Sequence, residues 1–139
     1  MSQVDSPDHV KQMVISVGQC GYDNSRIRSL IRSIDSTVEI KETDSHQETM
    51  EVLASLGEST AALVLVNRVF DTDGASGMDL ISQLKSKESE FAGIPVMLVS
   101  NYEKSQAEAI ANGAIQGFGK SELQSVETRQ KIVSVLNPN

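Results

Sequence analysis

The sequence predicts one α/β domain in which five strand and helix units surround a parallel sheet. Its 139 residues fall within the usual size of a single domain. Short apolar runs alternate with longer amphipathic stretches, which is the pattern of repeated βαβ units. A balance of 39% apolar and 22% charged residues excludes wholesale disorder and a fibrous composition. We expect residues 1–10 to be a flexible leader, residues 11–136 to be the domain and residues 137–139 to be a tail.

The first two units follow the leader. Met13–Val17 is an apolar run that Gly18 ends, and residues 24–34 then place apolar side chains on one helix face. Residues 37–41 alternate polar and apolar side chains, and residues 48–56 carry a helical apolar stripe. The alternation predicts that the second strand lies at an edge of the sheet.

The remaining three units begin with the most apolar strand. Residues 61–66 read Ala-Ala-Leu-Val-Leu-Val, as expected of a central parallel strand that is covered on both faces. A turn-rich loop over residues 67–77 and a helix over residues 78–87 come next. The last elements are strands over residues 96–100 and 115–119, a helix through residues 107–111, and a helix over residues 122–136.

Composition excludes several classes of partner. The formal net charge of -7 and the pI near 4.7 predict a surface that repels nucleic acid and anionic membranes. No apolar run approaches the roughly 20 residues that span a bilayer, and no signal pattern begins the sequence, so we expect a cytoplasmic protein. One cysteine and two separated histidines predict no disulfide, no metal site and no cofactor.

Three separated motifs lie in the second half of the sequence. Residues 76–81 read Ser-Gly-Met-Asp-Leu-Ile, residues 94–100 read Ile-Pro-Val-Met-Leu-Val-Ser, and residues 109–114 read Ala-Ile-Ala-Asn-Gly-Ala with Lys120 six residues later. They resemble the receiver domains of two-component response regulators, and the resemblance extends over residues 13–136. It implies a (βα)5 doubly wound sheet with the flavodoxin-like strand order 2-1-3-4-5.

The resemblance also implies a phosphotransfer site, which this sequence retains only in part. The family uses an aspartate after the third strand, an acidic pair after the first for Mg²⁺, a hydroxyl after the fourth and a lysine after the fifth. Ser100 and Lys120 match the last two, whereas the aspartate position falls on Asn67 and the acidic pair on Gly18 and Gln19. An amide should not form an acyl phosphate, and neither Gly18 nor Gln19 offers Mg²⁺ a carboxylate.

Two further departures affect the family's switch. Gly117 stands where the family has its switch aromatic residue, and Ser121 replaces the usual proline after the lysine. Together these changes predict an atypical, non-catalytic receiver, a pseudo-receiver, that binds a signalling protein independently of phosphorylation. Receivers generally bind their partners through the face between the fourth helix and the fifth strand. The resemblance therefore predicts four exposed contact residues there: Tyr102, Glu103, Lys104 and Gln106. The partner's identity, the pathway and the oligomeric state are left open.

Two other functions stay open at this point. Cys20 and Arg26 have the spacing of a cysteine-dependent phosphatase loop, although Asp23 would place an anion where backbone donors must cradle phosphate. Alternatively, Asp71 or Asp73 could accept a phosphoryl group in place of the missing aspartate. The same two carboxylates are candidates to pair with Lys120.

Overall fold

One sheet of five parallel strands forms the centre of the molecule, in the order β2-β1-β3-β4-β5. The computed structural model describes residues 12–57 and 59–137, so the predicted leader and residues 138 and 139 of the predicted tail lie outside the described residues. The strands are β1 (Met13–Val17), β2 (Glu39–Thr43), β3 (Leu63–Asn67), β4 (Val96–Val99) and β5 (Ile115–Phe118). The predicted fold class and strand order are confirmed.

Five α-helices connect and follow the strands. They are α1 (Gly21–Ile34), α2 (His46–Ser55), α3 (Gly77–Leu84), α4 (Glu103–Ala111) and α5 (Val126–Leu136), and a 3-10 turn at Lys120–Glu122 precedes α5. The longest of them, α1, has 14 residues. Within residues 12–57 and 59–137, no helix combines the length and hydrophobicity that crossing a bilayer requires.

The sheet separates two apolar cores. On β3, Leu63 and Leu65 contribute to the core beneath α1 and α5, whereas Val64 and Val66 contribute to the core beneath α2, α3 and α4. Successive side chains of a strand point to opposite faces, so a strand that is covered twice must be apolar throughout. This double covering is why residues 61–66 lack the polar alternation of β2.

Local hydrogen bonds explain where the observed elements differ from the predicted bounds. β2 begins at Glu39 because Asp35 Oδ1 accepts hydrogen bonds from the Thr37 amide and hydroxyl, which forms a turn before the strand. α1 begins three residues earlier than predicted, with the Cys20 thiol accepting a hydrogen bond from the Asp23 amide. Sequence periodicity locates the buried face of a helix, but caps of this kind set its ends.

Candidate functional site

The carboxyl ends of the strands form a polar cavity of about 300 Å³. It brings together Asn67 from the end of β3, Ser100 after β4 and Lys120 after β5, which the sequence predicted to be neighbours. Arg68 and Tyr102 complete one wall, where the Arg68 guanidinium stacks 4.7 Å from the centre of the Tyr102 ring. The edge of the sheet that normally carries chemistry in this fold class therefore holds a defined site.

Asn67 is buried and donates a hydrogen bond that an ionised carboxylate could not make. Its Nδ2 donates to the carbonyl oxygen of Gly18 at 2.9 Å, which ties the end of β3 to the residue after β1. An ionised carboxylate has no hydrogen to donate, so an aspartate here would place two oxygens against each other. Asparagine is thus an integrated structural residue of this site.

Gly18 and Gln19 offer no metal site. Gly18 has a φ of 75°, and a side chain at this position would overlap with the Phe70 ring. The space for a carboxylate is filled by Phe70, which itself is buried. Gln19 is also buried, and neither of its amide atoms has a hydrogen-bond partner among the described residues. The residues at these two positions therefore do not fit the Mg²⁺ that the resemblance implies.

Lys120 pairs with a residue that the sequence reasoning did not assign to the site. Its Nζ lies 3.1 Å from Asp23 Oδ2, in the first turn of α1. The proposed pairing with Asp71 or Asp73 is wrong: both are exposed, and Asp73 Oδ1 instead accepts a hydrogen bond from the Ala75 amide. Asp23 lies in the first turn of the helix that follows β1, at the same edge of the sheet as Lys120, and this position was the signal available in the sequence.

Ser100 and Ser121 form hydrogen bonds with the loop after β4 at the same edge. The Ser100 hydroxyl oxygen accepts a hydrogen bond from the Tyr102 amide at 3.1 Å. The Ser121 amide and hydroxyl both donate to Asn101 Oδ1, at 3.2 and 3.1 Å. A proline at position 121 has no amide hydrogen and could not make the first of these bonds. The serine therefore connects the loop after β4 to the turn after β5.

Gly117 lies in an irregular stretch of β5. Met97 pairs with Ile115 and Val99 pairs with Phe118, so the register shifts between these pairs. A side chain at position 117 would overlap with the carbonyl group of Leu98. The backbone thus leaves no room for an aromatic residue at this position.

Comparison with solved structures gives many matches of the same kind. The signal receiver domain of a DNA-binding response regulator from Colwellia psychrerythraea 34H superposes with a TM-score of 0.74 and 16% identity, over 91% of this chain and 98% of that chain. The phosphorylated cyanobacterial phytochrome response regulator RcpA has a TM-score of 0.73 and 15% identity, over 94% and 97%. A two-component response regulator from Legionella pneumophila gives 0.71 and 16%, over 93% and 100%. This chain has the receiver fold. No protein-family model and no curated protein sequence matches it.

Three of the four residues of the predicted partner face are exposed, as expected. Tyr102, Glu103 and Lys104 are exposed at the start of α4, but Gln106 is 8% exposed. The Gln106 amide nitrogen donates to the carbonyl oxygens of Leu98 and Ser100 at 2.9 and 3.0 Å. The prediction that Gln106 is exposed was wrong, because a glutamine side chain can be buried when backbone groups accept the hydrogen bonds of its amide. Beside this face lies a groove of about 530 Å³ between α4 and β5.

The fold places Cys20 at the N-cap of α1 and Arg26 within that helix, instead of in a phosphate-binding loop. Residues 21–26 are the first turns of α1, and the Asn24 amide already donates to the Cys20 carbonyl oxygen. Arg26 contacts the Asp23 carboxylate at 3.9 Å and lies over the Tyr22 ring. Backbone amides that bond within a helix cannot cradle a phosphoryl group. This geometry disfavours the phosphatase hypothesis.

Proposed function

We propose that this chain is a cytoplasmic, non-catalytic receiver module of two-component signalling that acts by binding a protein partner, without aspartyl phosphorylation. Among its structural neighbours, one cyanobacterial phytochrome response regulator was solved in phosphorylated form and the response regulator Rcp1 with bound Mn²⁺. The fold that these proteins share with this chain supports the receiver assignment. The side chains at the candidate site support the loss of phosphorylation.

The arrangement of two contacts around Gly18 carries this proposal. The Asn67 amide donates a hydrogen bond to the Gly18 carbonyl oxygen, and the Phe70 ring fills the space where a side chain at position 18 would lie. The first contact replaces a nucleophile with a structural hydrogen bond. The second removes the room for a metal-binding carboxylate. Both features remove the same reaction, because phosphoryl transfer needs the nucleophile and charge neutralisation together.

The surface between α4 and β5 is the proposed binding face. Tyr102 is 59% exposed, and its ring packs beside the Arg68 guanidinium, which presents an aromatic and a cationic group together. Tyrosine and arginine are enriched among residues that dominate protein interfaces. Glu103 and Lys104 add exposed charge next to them. We include these residues in the binding face and exclude Gln106.

Intact-mass measurement after incubation with a small phosphodonor and Mg²⁺ tests the loss of phosphorylation. We expect no added phosphoryl mass on the wild-type chain, while a phosphorylatable receiver treated in parallel gains one. A stable phosphoryl adduct on the wild type would overturn the proposal. If an adduct formed and disappeared in Asp71→Asn/Asp73→Asn, the alternative acceptor hypothesis would replace it. Aryl phosphate turnover that is lost in Cys20→Ser would instead favour the phosphatase.

A capture experiment tests the binding face. Wild type, the variant Tyr102→Ala/Glu103→Lys/Lys104→Glu and the control Glu39→Lys/Lys41→Glu are immobilised and exposed to extract from the native organism. The control inverts charges on β2, at the opposite edge of the sheet. We expect a protein that the wild type and control retain and that the triple variant loses. Identical capture by all three proteins would rule out this face.

A further inference from the structure

A second surface groove lies between α1 and α5, on the other side of the sheet from α4. It has a volume of about 440 Å³, and its charged lining groups are Arg26 and Arg129. Among the described residues that line it, none carries a carboxylate. The apolar lining residues are Leu30, Leu123 and Val126. A cationic, partly apolar groove is unusual on a chain whose net charge is -7.

Both guanidinium groups of the groove are available to a ligand. Within residues 12–57 and 59–137, the side chain of Arg129 donates to the hydroxyl and carbonyl oxygens of Ser33, at 2.8 and 3.1 Å, and to no other group. Arg26 lies 3.9 Å from Asp23, whose carboxylate is closer to Lys120. A guanidinium group carries five hydrogen-bond donors, so each arginine keeps unused donors and an incompletely neutralised charge. These are the groups that bind carboxylates in a bidentate manner.

Two exposed apolar side chains flank these charges. Tyr22 is 72% exposed and Val126 is 64% exposed, the highest values among the large hydrophobic residues of the described ranges. The Tyr22 ring lies beneath the Arg26 guanidinium, and Val126 lines the groove at the start of α5. Clustered exposed apolar groups with an aromatic residue and arginines are typical of protein interfaces.

We propose that this groove binds an acidic amphipathic helix of a partner protein. The groove runs between two helices, whereas the strand edges of the sheet are at β2 and β5, so an extended peptide would find no backbone to pair with. A helix can place apolar side chains against Leu30 and Val126 and carboxylates against Arg26 and Arg129. The carboxylates of such a helix would be attracted to the two arginines, whereas the acidic remainder of this chain would repel them.

The charges argue against other occupants. A symmetric pair of copies would place Arg26 and Arg129 of one copy against the same arginines of the other. Nucleic acid and anionic lipid would be repelled by the net charge of -7 outside the groove. A short acidic helix can contact the groove alone and avoid that repulsion. This surface is separate from the α4 and β5 face, so it would serve a second contact.

A displayed library of helix-forming peptides, about as long as α1 and random on one face, tests the proposal. Peptides are selected on wild type, then measured on Arg26→Gln/Arg129→Gln and on the control Lys41→Gln/Lys87→Gln, whose two lysines are exposed and lie outside both proposed faces. We expect enrichment of Asp, Glu and large apolar residues, and binding about tenfold weaker to the arginine variant with the control unchanged. Amide shifts of the wild type should map to α1 and α5. Urea unfolding of the arginine variant should match the wild type and exclude a folding defect.

Several results of the peptide selection would overturn the proposed groove or assign binding elsewhere. Failure to enrich any peptide, enrichment without carboxylates, or equal binding to the arginine variant would each overturn the proposal. Shifts confined to α4 and β5 would assign binding to the other face. The variant Tyr102→Ala/Glu103→Lys/Lys104→Glu should still bind the selected peptides, so this result does not depend on the binding face proposed above.

Discussion

Lys120 Nζ lies 3.1 Å from Asp23 Oδ2, so the lysine at the end of β5 is paired with the first turn of α1. The Asp23 side chain is 10% exposed and the Lys120 side chain 35%. The same carboxylate contacts Arg26 at 3.9 Å. Asp23 therefore supplies one carboxylate that faces both Lys120, which lines the polar cavity, and Arg26, which lines the α1 and α5 groove.

A double-mutant cycle of Asp23→Asn and Lys120→Gln measures this pair. We expect a coupling free energy of about 0.5–1 kcal/mol at about 0.1 M salt, because partial exposure of Lys120 screens the interaction. The coupling should shrink at about 1 M salt. Urea unfolding of the four proteins gives the values. A coupling that is zero, or that salt does not change, would contradict an ionic pair.

Asn67→Asp should not restore phosphorylation and should destabilise the fold. The ionised carboxylate cannot donate to the Gly18 carbonyl oxygen, and the cost of the unsatisfied contact is about 1–3 kcal/mol. The fold should regain stability at low pH, where the protonated carboxyl can donate again. Urea unfolding as a function of pH, with intact mass after phosphodonor treatment, measures both effects. A phosphorylated or fully stable variant would refute the structural role of Asn67.

Gly18→Ala should destabilise the fold more than Gly74→Ala does. The two glycines have φ values of 75° and 71°, but only the methyl group at position 18 would overlap with Phe70, while nothing lies within 4 Å of the methyl group at position 74. Both changes carry the cost of a positive φ, about 1–2 kcal/mol, and overpacking adds about 1–3 kcal/mol at position 18. Thermal unfolding of both variants gives the difference. Equal destabilisation would show that Phe70 does not block position 18.

The fold could be predicted because the apolar pattern of the strands is strong. β3 is buried on both faces, and the sequence shows this as the uninterrupted apolar run of residues 61–66. The proximity of Ser100 and Lys120 could also be predicted, because each lies at the end of a strand of the same sheet. Contacts made by distant parts of the chain, such as Phe70 on Gly18, leave no periodic signal.

Gln106 shows why the exposure of a single side chain could not be predicted from the sequence. Its residue type and its place near the start of α4 predict exposure, yet Ala109, three residues later, is fully buried on the same face. The irregular pairing of β4 and β5 leaves backbone groups that the Gln106 amide satisfies. The irregularity arises from strand pairing, so it could not be predicted from α4 alone.

Gln106→Leu should therefore lower the free energy of unfolding by about 2–3 kcal/mol. The leucine leaves the carbonyl oxygens of Leu98 and Ser100 without their donor and the Gly117 amide without the Gln106 Oε1 acceptor, which lies at 3.2 Å. Hydrogen exchange of the Gly117 amide should become faster. The exposed control Gln130→Leu should change stability by less than about 0.5 kcal/mol. Unchanged exchange at Gly117 would contradict the assigned hydrogen bond.

Lys85 supplies a pH-dependent contribution to stability, far from the candidate site in the sequence. Its Nζ donates to the carbonyl oxygens of Ala92 and Ile94 at 2.8 and 2.6 Å, which holds the segment that leads into β4. Burial lowers the pKa of Lys85 below its usual 10.5. Between the folded-state pKa and 10.5, the unfolded chain therefore binds more protons than the folded chain, and stability rises with pH.

The variant Lys85→Met isolates this effect. The contribution from the shifted pKa is fully present above 10.5 and is lost as the pH falls through the folded-state pKa. We expect the free energy of unfolding of the wild type, relative to the variant, to increase as the pH is raised toward 10.5. For the control Lys87→Met, at an exposed position nearby, the difference in the free energy of unfolding from the wild type should not change over the same pH range. A difference for Lys85→Met that is constant or falls with rising pH would mean that Lys85 is not desolvated, because an ammonium group in water has the same pKa in both states.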